Sequence, residues 1–132
     1  MATFYSREEL DSFSADVLDG AITVHRIMGP GLLESIYHHC MIIELRSRGL
    51  KVDSMVPLNL CYKDTKLNKT FYADMVVENS IIIELKAVET VIPVHEAQLL
   101  SYLKLGDFRL GFLINFHVVL LKNGFKRFVN NF

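Results

Sequence analysis

The sequence predicts an α/β (α+β) protein, one mixed sheet flanked by helices in the order ααβββαββ. Three observations carry this expectation. Apolar residues recur at helical spacing through the first third of the chain; after Gly49 the period shortens to that of strands; and Pro93 opens one more helical stretch before the last strands.

Taken in order, Val17, Leu18, Ala21, Ile22, Val24 and Met28 predict a helix from about Ser14, which Gly29-Pro30-Gly31 stops. A second helix is expected from Leu32 to Arg48, closed by Gly49. Lys51 to Tyr62, Thr70 to Val77 and Ile81 to Lys86 follow as three strands, most simply an antiparallel meander, with breaks at Lys63–Lys66 and Glu78–Ser80. A third helix is expected over Val94 to Leu105. Arg109 to Phe116 and Val118 to Leu121 then have strand composition, and Asn123-Gly124 allows a turn into a last strand.

The 132 residues suit a single domain over 1–132, with 1–13 as an N-terminal extension. An apolar fraction of 51% against 22% charged residues excludes a disordered tail. The acidic first thirty residues lack the order of a signal peptide, and the longest uncharged stretch, Leu110 to Leu121, is too short to span a bilayer. Cys40 and Cys61 have no metal-type spacing and are expected as reduced core residues. A cytoplasmic protein is the expectation.

Chemistry concentrates in two strands. In Ile81–Lys86, alternation puts Ile82, Glu84 and Lys86 on one face and Ile81, Ile83 and Leu85 on the other. Charges in so apolar a strand need partners. Asp74 is a lone acid in the preceding strand, and a hairpin would bring it opposite Glu84 with Lys86 adjacent. Two readings stand: an inter-strand ion pair, or a carboxylate pair that holds a hard cation such as Mg²⁺. Glu34 is the third acid. With Gly31 as N-cap it would be the third helical residue and cap the helix; alternatively it points into the same acidic site, with Tyr37 on the same face.

Gly29-Pro30-Gly31-Leu32-Leu33-Glu34-Ser35-Ile36-Tyr37, preceded by Val24-His25-Arg26, resembles the signature of the GxxExxY protein family, a branch of the PD-(D/E)xK nuclease superfamily. Asp74, Glu84-Leu85-Lys86, then Gln98 and Tyr102 match in order, as do Leu113–Phe116 and Leu120–Gly124; the likeness runs from about Ser14 to Asn130. Ala73 replaces the proline of the superfamily's name, as often happens there. The resemblance implies a restriction-endonuclease-like core and a Mg²⁺ (or Mn²⁺) site of Glu34, Asp74, Glu84 and the Leu85 carbonyl. It also implies that Lys86 positions or activates the attacking water, and that Gln98 and Tyr102 shape the site from the third helix. Bound metal and a fixed cation are what phosphodiester hydrolysis needs.

Other candidates are weaker. His38, His39 and Cys40 diverge around a helix and cannot share one ion, so both histidines are expected at the flank. His25 is expected to pack or cap, His95 to start the third helix, and His117 to be buried in a strand.

A net charge of -1 excludes a global basic field, so nucleic acid would have to be met by local patches. Lys63, Lys66 and Lys69 form one such set; Lys122, Lys126 and Arg127 form another; each is equally an ordinary solvated turn. A mean hydropathy of +0.27 predicts exposed apolar surface and a homodimer. The expected function is metal-dependent hydrolysis of phosphodiester bonds in DNA or RNA. The alternative is an inactive nuclease-fold module that binds nucleic acid or protein.

Overall fold

The computed structural model describes residues 5–132, and at Lys69 the backbone alone. Helix α1 (Arg7–Met28) begins ahead of the expected Ser14 because Ser6 and Glu9 form a reciprocal capping box: the Glu9 amide donates to Ser6 Oγ at 3.0 Å and the Ser6 amide to Glu9 Oε1 at 3.2 Å. Residues 7–13 of the expected extension are therefore helical, and Leu10 joins Val17, Ala21 and Val24 in the core. Gly29 (φ +74°) ends the helix, its amide bonded to the His25 carbonyl at 2.8 Å.

Helix α2 (Glu34–Ser47) starts later than expected, with Leu33 rather than Gly31 at its N-cap. Buried Tyr37 explains the delay: its hydroxyl donates to the Gly29 carbonyl and accepts from the Leu32 amide, so the intervening loop is latched in a non-helical path. Glu34 is thus the first helical residue, and no side-chain cap bond forms.

Strands β1 (Val52–Tyr62) and β2 (Thr65–Val77) form a long hairpin that turns at Lys63 and Asp64, so β2 begins before the expected Thr70. Strand β3 (Ile81–Lys86) follows a turn in which Glu78 and Asn79 both take positive φ. Helix α3 (Pro93–Gly106) then crosses to β4 (Leu110–Asn115), parallel to β3, and β5 (Phe125–Val129) closes the far edge. The five-stranded sheet is mixed, in the order β1-β2-β3-β4-β5.

Val118–Leu121 is not a strand. His25 Nε2 meets the Val118 carbonyl at 2.7 Å, and the chain then enters a short 3-10 turn, Leu121–Gly124. Gly124 lies so close to the Asn115 carbonyl that any Cβ there would overlap it.

Two apolar layers sandwich the sheet. Ile81, Ile83, Leu85, Phe112 and Ile114 pack under α1 and α2, while Ile82, Leu113 and Val76 pack against Leu99, Tyr102 and Leu103 of α3. The alternation expected along β3 therefore holds, and it assigns Glu84 and Lys86 to the α3 side. Cys40 is half-buried, but Cys61 is exposed in the projecting hairpin rather than in the core. Among the described residues no helix is long and apolar enough to cross a membrane.

Candidate active site where two strands part

Strands β2 and β3 pair through only Met75–Ile83, Val76–Ile82 and Val77–Ile81. Continued regularly, the next positions would be Asp74 with Glu84 and Ala73 with Leu85. Instead β2 follows β1 away and side chains take over the pairing. The Leu85 amide donates to Asp74 Oδ2 at 2.8 Å, and the Asp74 amide donates to Glu84 Oε1 at 3.3 Å. The hairpin thus brings Asp74 and Glu84 together as expected, each carboxylate facing the partner strand's backbone.

The parting also frees a carbonyl. Amide and carbonyl of one strand residue point to the same side. Lys86 directs its carbonyl toward β4, where the Phe116 amide binds it at 3.0 Å, so its neighbour Leu85 directs its carbonyl into the gap beside Asp74.

A distortion in β1 shapes the other bank. The Ser54–Met75 and Val56–Ala73 pairs flank a skipped Met55–Asp74 pair, and Met55 takes φ +52°. For a residue other than glycine this conformation costs about 1–3 kcal/mol and persists only where the surroundings impose it. Ala73 packs with the α3-side cluster, although strict alternation from Met75 and Val77 would place it opposite, so the side-chain alternation slips at Asp74. Through this irregularity Asp74 opens onto the α2 side of the sheet while Glu84 is on the α3 side.

Both helical layers consequently reach one spot. Burial pushes the Glu84 carboxyl up to about 8, and the negative charge of Asp74 adds to this, with Lys86 pulling the other way. The Glu34 carboxyl is likewise held above the usual carboxylate range, first by partial burial, then by Asp74, and is again relieved by Lys86. The Tyr102 hydroxyl is raised by burial and by the charges of Glu84 and Asp74. Tyr102 packs its ring against Phe71 at 4.8 Å, whereas Gln98, one turn earlier, is exposed. Tyr37 is not directed at the site: it is fully buried and stacked on Phe116 at 4.5 Å.

Asp74 and Glu84 with the Leu85 carbonyl are hard oxygen donors of the kind a small divalent cation takes, and two crowded carboxylates need such a charge or a proton between them. Glu34 stands within electrostatic reach but does not close the set. Among the described residues no three Asp, Glu, His or Cys side chains come near enough to enclose an ion.

Beside the pair, Asp74 and Glu34 open into a cleft of about 430 Å³ between α2 and the β1–β2 hairpin. His38 and His39 line it with Ile42, Ser54 and Met55, and His38 Nε2 meets Ser54 Oγ at 2.8 Å. Sequence reasoning put these histidines at the flank; the one available signal was that Glu34 and His38 lie four apart on one helix face. His25 packs as expected, His95 Nδ1 accepts from the Ile92 amide at 3.3 Å at the start of α3, and His117 is exposed just beyond β4 rather than buried. Of the basic sets, Lys126 pairs with Glu96 at 2.7 Å and Arg127 with Asp11 at 3.7 Å, while Lys69's side chain lies outside the described structure.

Over residues 11–128 the chain matches the family model described as the PD-(D/E)XK nuclease superfamily. The chain belongs to that superfamily, and its mixed sheet with flanking helices is the restriction-endonuclease-like fold. No curated protein and no solved structure matches the chain.

Proposed function

We propose that the protein is a metal-dependent nuclease that hydrolyses phosphodiester bonds in DNA or RNA, in the GxxExxY branch of its superfamily. The observation that carries this reading is the joining of Asp74 and Glu84 at the strand parting, with Lys86 on the face of Glu84. Asp74, Glu84 and the Leu85 carbonyl would hold Mg²⁺ or Mn²⁺, and Glu34 would complete the shell by moving in from α2. The ion, when bound, polarises the phosphoryl oxygen and makes hydroxide available near neutral pH. Lys86 orients the attacking water and offsets charge on the scissile phosphate. Tyr102 and Gln98 bound the site from α3. Leu33 at the N-cap of α2 and Ile36 and Ile43 along it expose apolar surface, which supports a homodimer.

The test is cleavage of labelled single- and double-stranded DNA and RNA with Mg²⁺ or Mn²⁺, for wild type and for Asp74→Asn and Lys86→Ala. Cleavage that needs the metal and is lost in both folded variants is the expected result; equal cleavage by the variants would sink the assignment.

The open position of Glu34 favours a second reading, an inactive module that keeps the fold for binding. Isothermal titration with Mn²⁺ addresses it. The nuclease reading expects binding in wild type and none in Asp74→Ala, whereas nucleic-acid binding without metal-dependent cleavage selects the module.

A further inference from the structure

The cleft beside Asp74 has walls that phosphodiester hydrolysis alone does not require. Met55 is held at φ +52° in the middle of a strand and is 51% exposed, so the strained backbone turns an apolar side chain outward into the cleft instead of burying it. Ile42, half-buried on α2, supplies a second apolar wall. Next to it His38 is fixed by its bond to Ser54. Asp74 and Glu34 line the same cleft, so it adjoins the carboxylate pair.

Its volume suits a small ligand. A volume of about 430 Å³ is that of a small-molecule site, not of a groove wide enough for a duplex. Duplex binding without base contacts depends on many cations neutralising phosphates, and this chain has net charge -1 and two acids in the lining of its cleft. Single-strand binders also need cations along the backbone, but they add to them the packing of unpaired bases against side chains, which an apolar-walled cleft of this size can offer.

Resting on the nuclease reading above, we propose that the cleft receives an unpaired nucleotide adjoining the scissile phosphate, its base between Met55 and Ile42. His38 is the substrate-binding residue that contacts the sugar-phosphate edge. The substrate class is then single-stranded nucleic acid, or a strand end or flap that can deliver one unstacked base.

The experiment is fluorescence anisotropy of a labelled oligonucleotide, as single strand and as blunt duplex, in Ca²⁺ at moderate salt, paired with cleavage of both in Mg²⁺. Wild type should bind and cut the single strand in preference to the duplex. Met55→Asn removes the apolar wall with a residue that tolerates positive φ. Its melting temperature should therefore hold or rise while single-strand affinity falls roughly tenfold, as for one apolar side chain no longer buried against the base. His38→Gln, at a position outside the core, is the second variant and should raise KM more than it lowers kcat. Unchanged affinity and KM in both variants, or a duplex preference in an active wild type, overturns the cleft assignment and leaves the nuclease reading in place. If wild type neither binds nor cuts any nucleic acid, that reading fails and this one with it.

Discussion

The Leu85 amide donates to the Asp74 carboxylate at 2.8 Å, at the position where regular pairing would have given it a backbone carbonyl of β2. One side chain therefore substitutes for the missing half of a ladder, and the sheet splits without stranding a buried amide. The same split turns the Leu85 carbonyl toward Asp74 and lets α2 and α3 present side chains to one point. Asp74 thus has a structural role beside the metal-holding one proposed above, and the two separate by substitution.

Asp74→Asn keeps an oxygen to accept from Leu85 but removes the charge that crowds Glu84, so in metal-free buffer its stability should equal or exceed wild type. Asp74→Ala leaves the Leu85 amide unpaired, which costs about 1–3 kcal/mol. Thermal melts in EDTA should rank Asp74→Asn at or above wild type and Asp74→Ala below both; equal melting of the two variants would refute the backbone-substituting role.

Stability should also depend on pH through Glu84. Its carboxyl lies at about 8 in the folded protein, above its value in the unfolded chain. An acid raised on folding contributes stability that is complete below its unfolded value and is lost as pH climbs through the folded one. Metal-free protein should therefore lose on the order of a few kcal/mol between about pH 4.5 and pH 8. Glu34, shifted the same way, adds to the slope. Glu84→Gln should flatten the profile, and Mn²⁺ should restore the melting temperature of wild type at pH 8. A wild-type profile that rises across this interval would contradict the buried pair.

Lys86 lies on the face of Glu84 and relieves both Glu34 and Glu84. Lys86→Ala should lower kcat at least a hundredfold, the scale seen when one stabilising donor is removed from a developing charge. Because Lys86 offsets crowded acids, the variant should also lose more melting temperature between pH 6 and pH 8 than wild type does. Single-turnover cleavage and paired melts would check both halves.

Much of this was legible in the residues because it rests on periodicity. The Ile81–Lys86 alternation fixed which face carries Glu84 and Lys86, and Gly49 and Pro93 marked where α2 ends and α3 begins. Local chemistry misled where long-range contacts decide. Ser6-x-x-Glu9 is a visible capping box, yet the sparse apolar residues after it hid the start of α1. Val118–Leu121 has strand composition, but β3 and β5 already occupy both edges of β4, and His25 binds the Val118 carbonyl elsewhere. The tyrosine of the Glu34-Ser35-Ile36-Tyr37 run looked like a site residue from its spacing; only the fold shows its hydroxyl latching the loop before α2. The cleft was the least legible part, since it depends on a backbone distortion at Met55 that has no sequence signature.

That latch supports a last prediction. Tyr37 is fully buried, stacked on Phe116, and its hydroxyl serves both the Gly29 carbonyl and the Leu32 amide. Tyr37→Phe preserves the stack and deletes both hydrogen bonds, leaving two backbone groups without their partner, so stability should fall by about 1–3 kcal/mol. Tyr37→Ala also empties the core and should cost about 3–5 kcal/mol. The loop from Gly29 to Leu33 sets where α2 begins, and Glu34 is its first residue. Freed of the latch, Glu34 should lose its fixed position beside Asp74, so Tyr37→Phe should weaken Mn²⁺ binding even at temperatures where it is fully folded. Titration at such a temperature separates the outcomes: weaker binding places Tyr37 as the residue that positions Glu34, whereas wild-type affinity with a lowered melting temperature would confine it to the core.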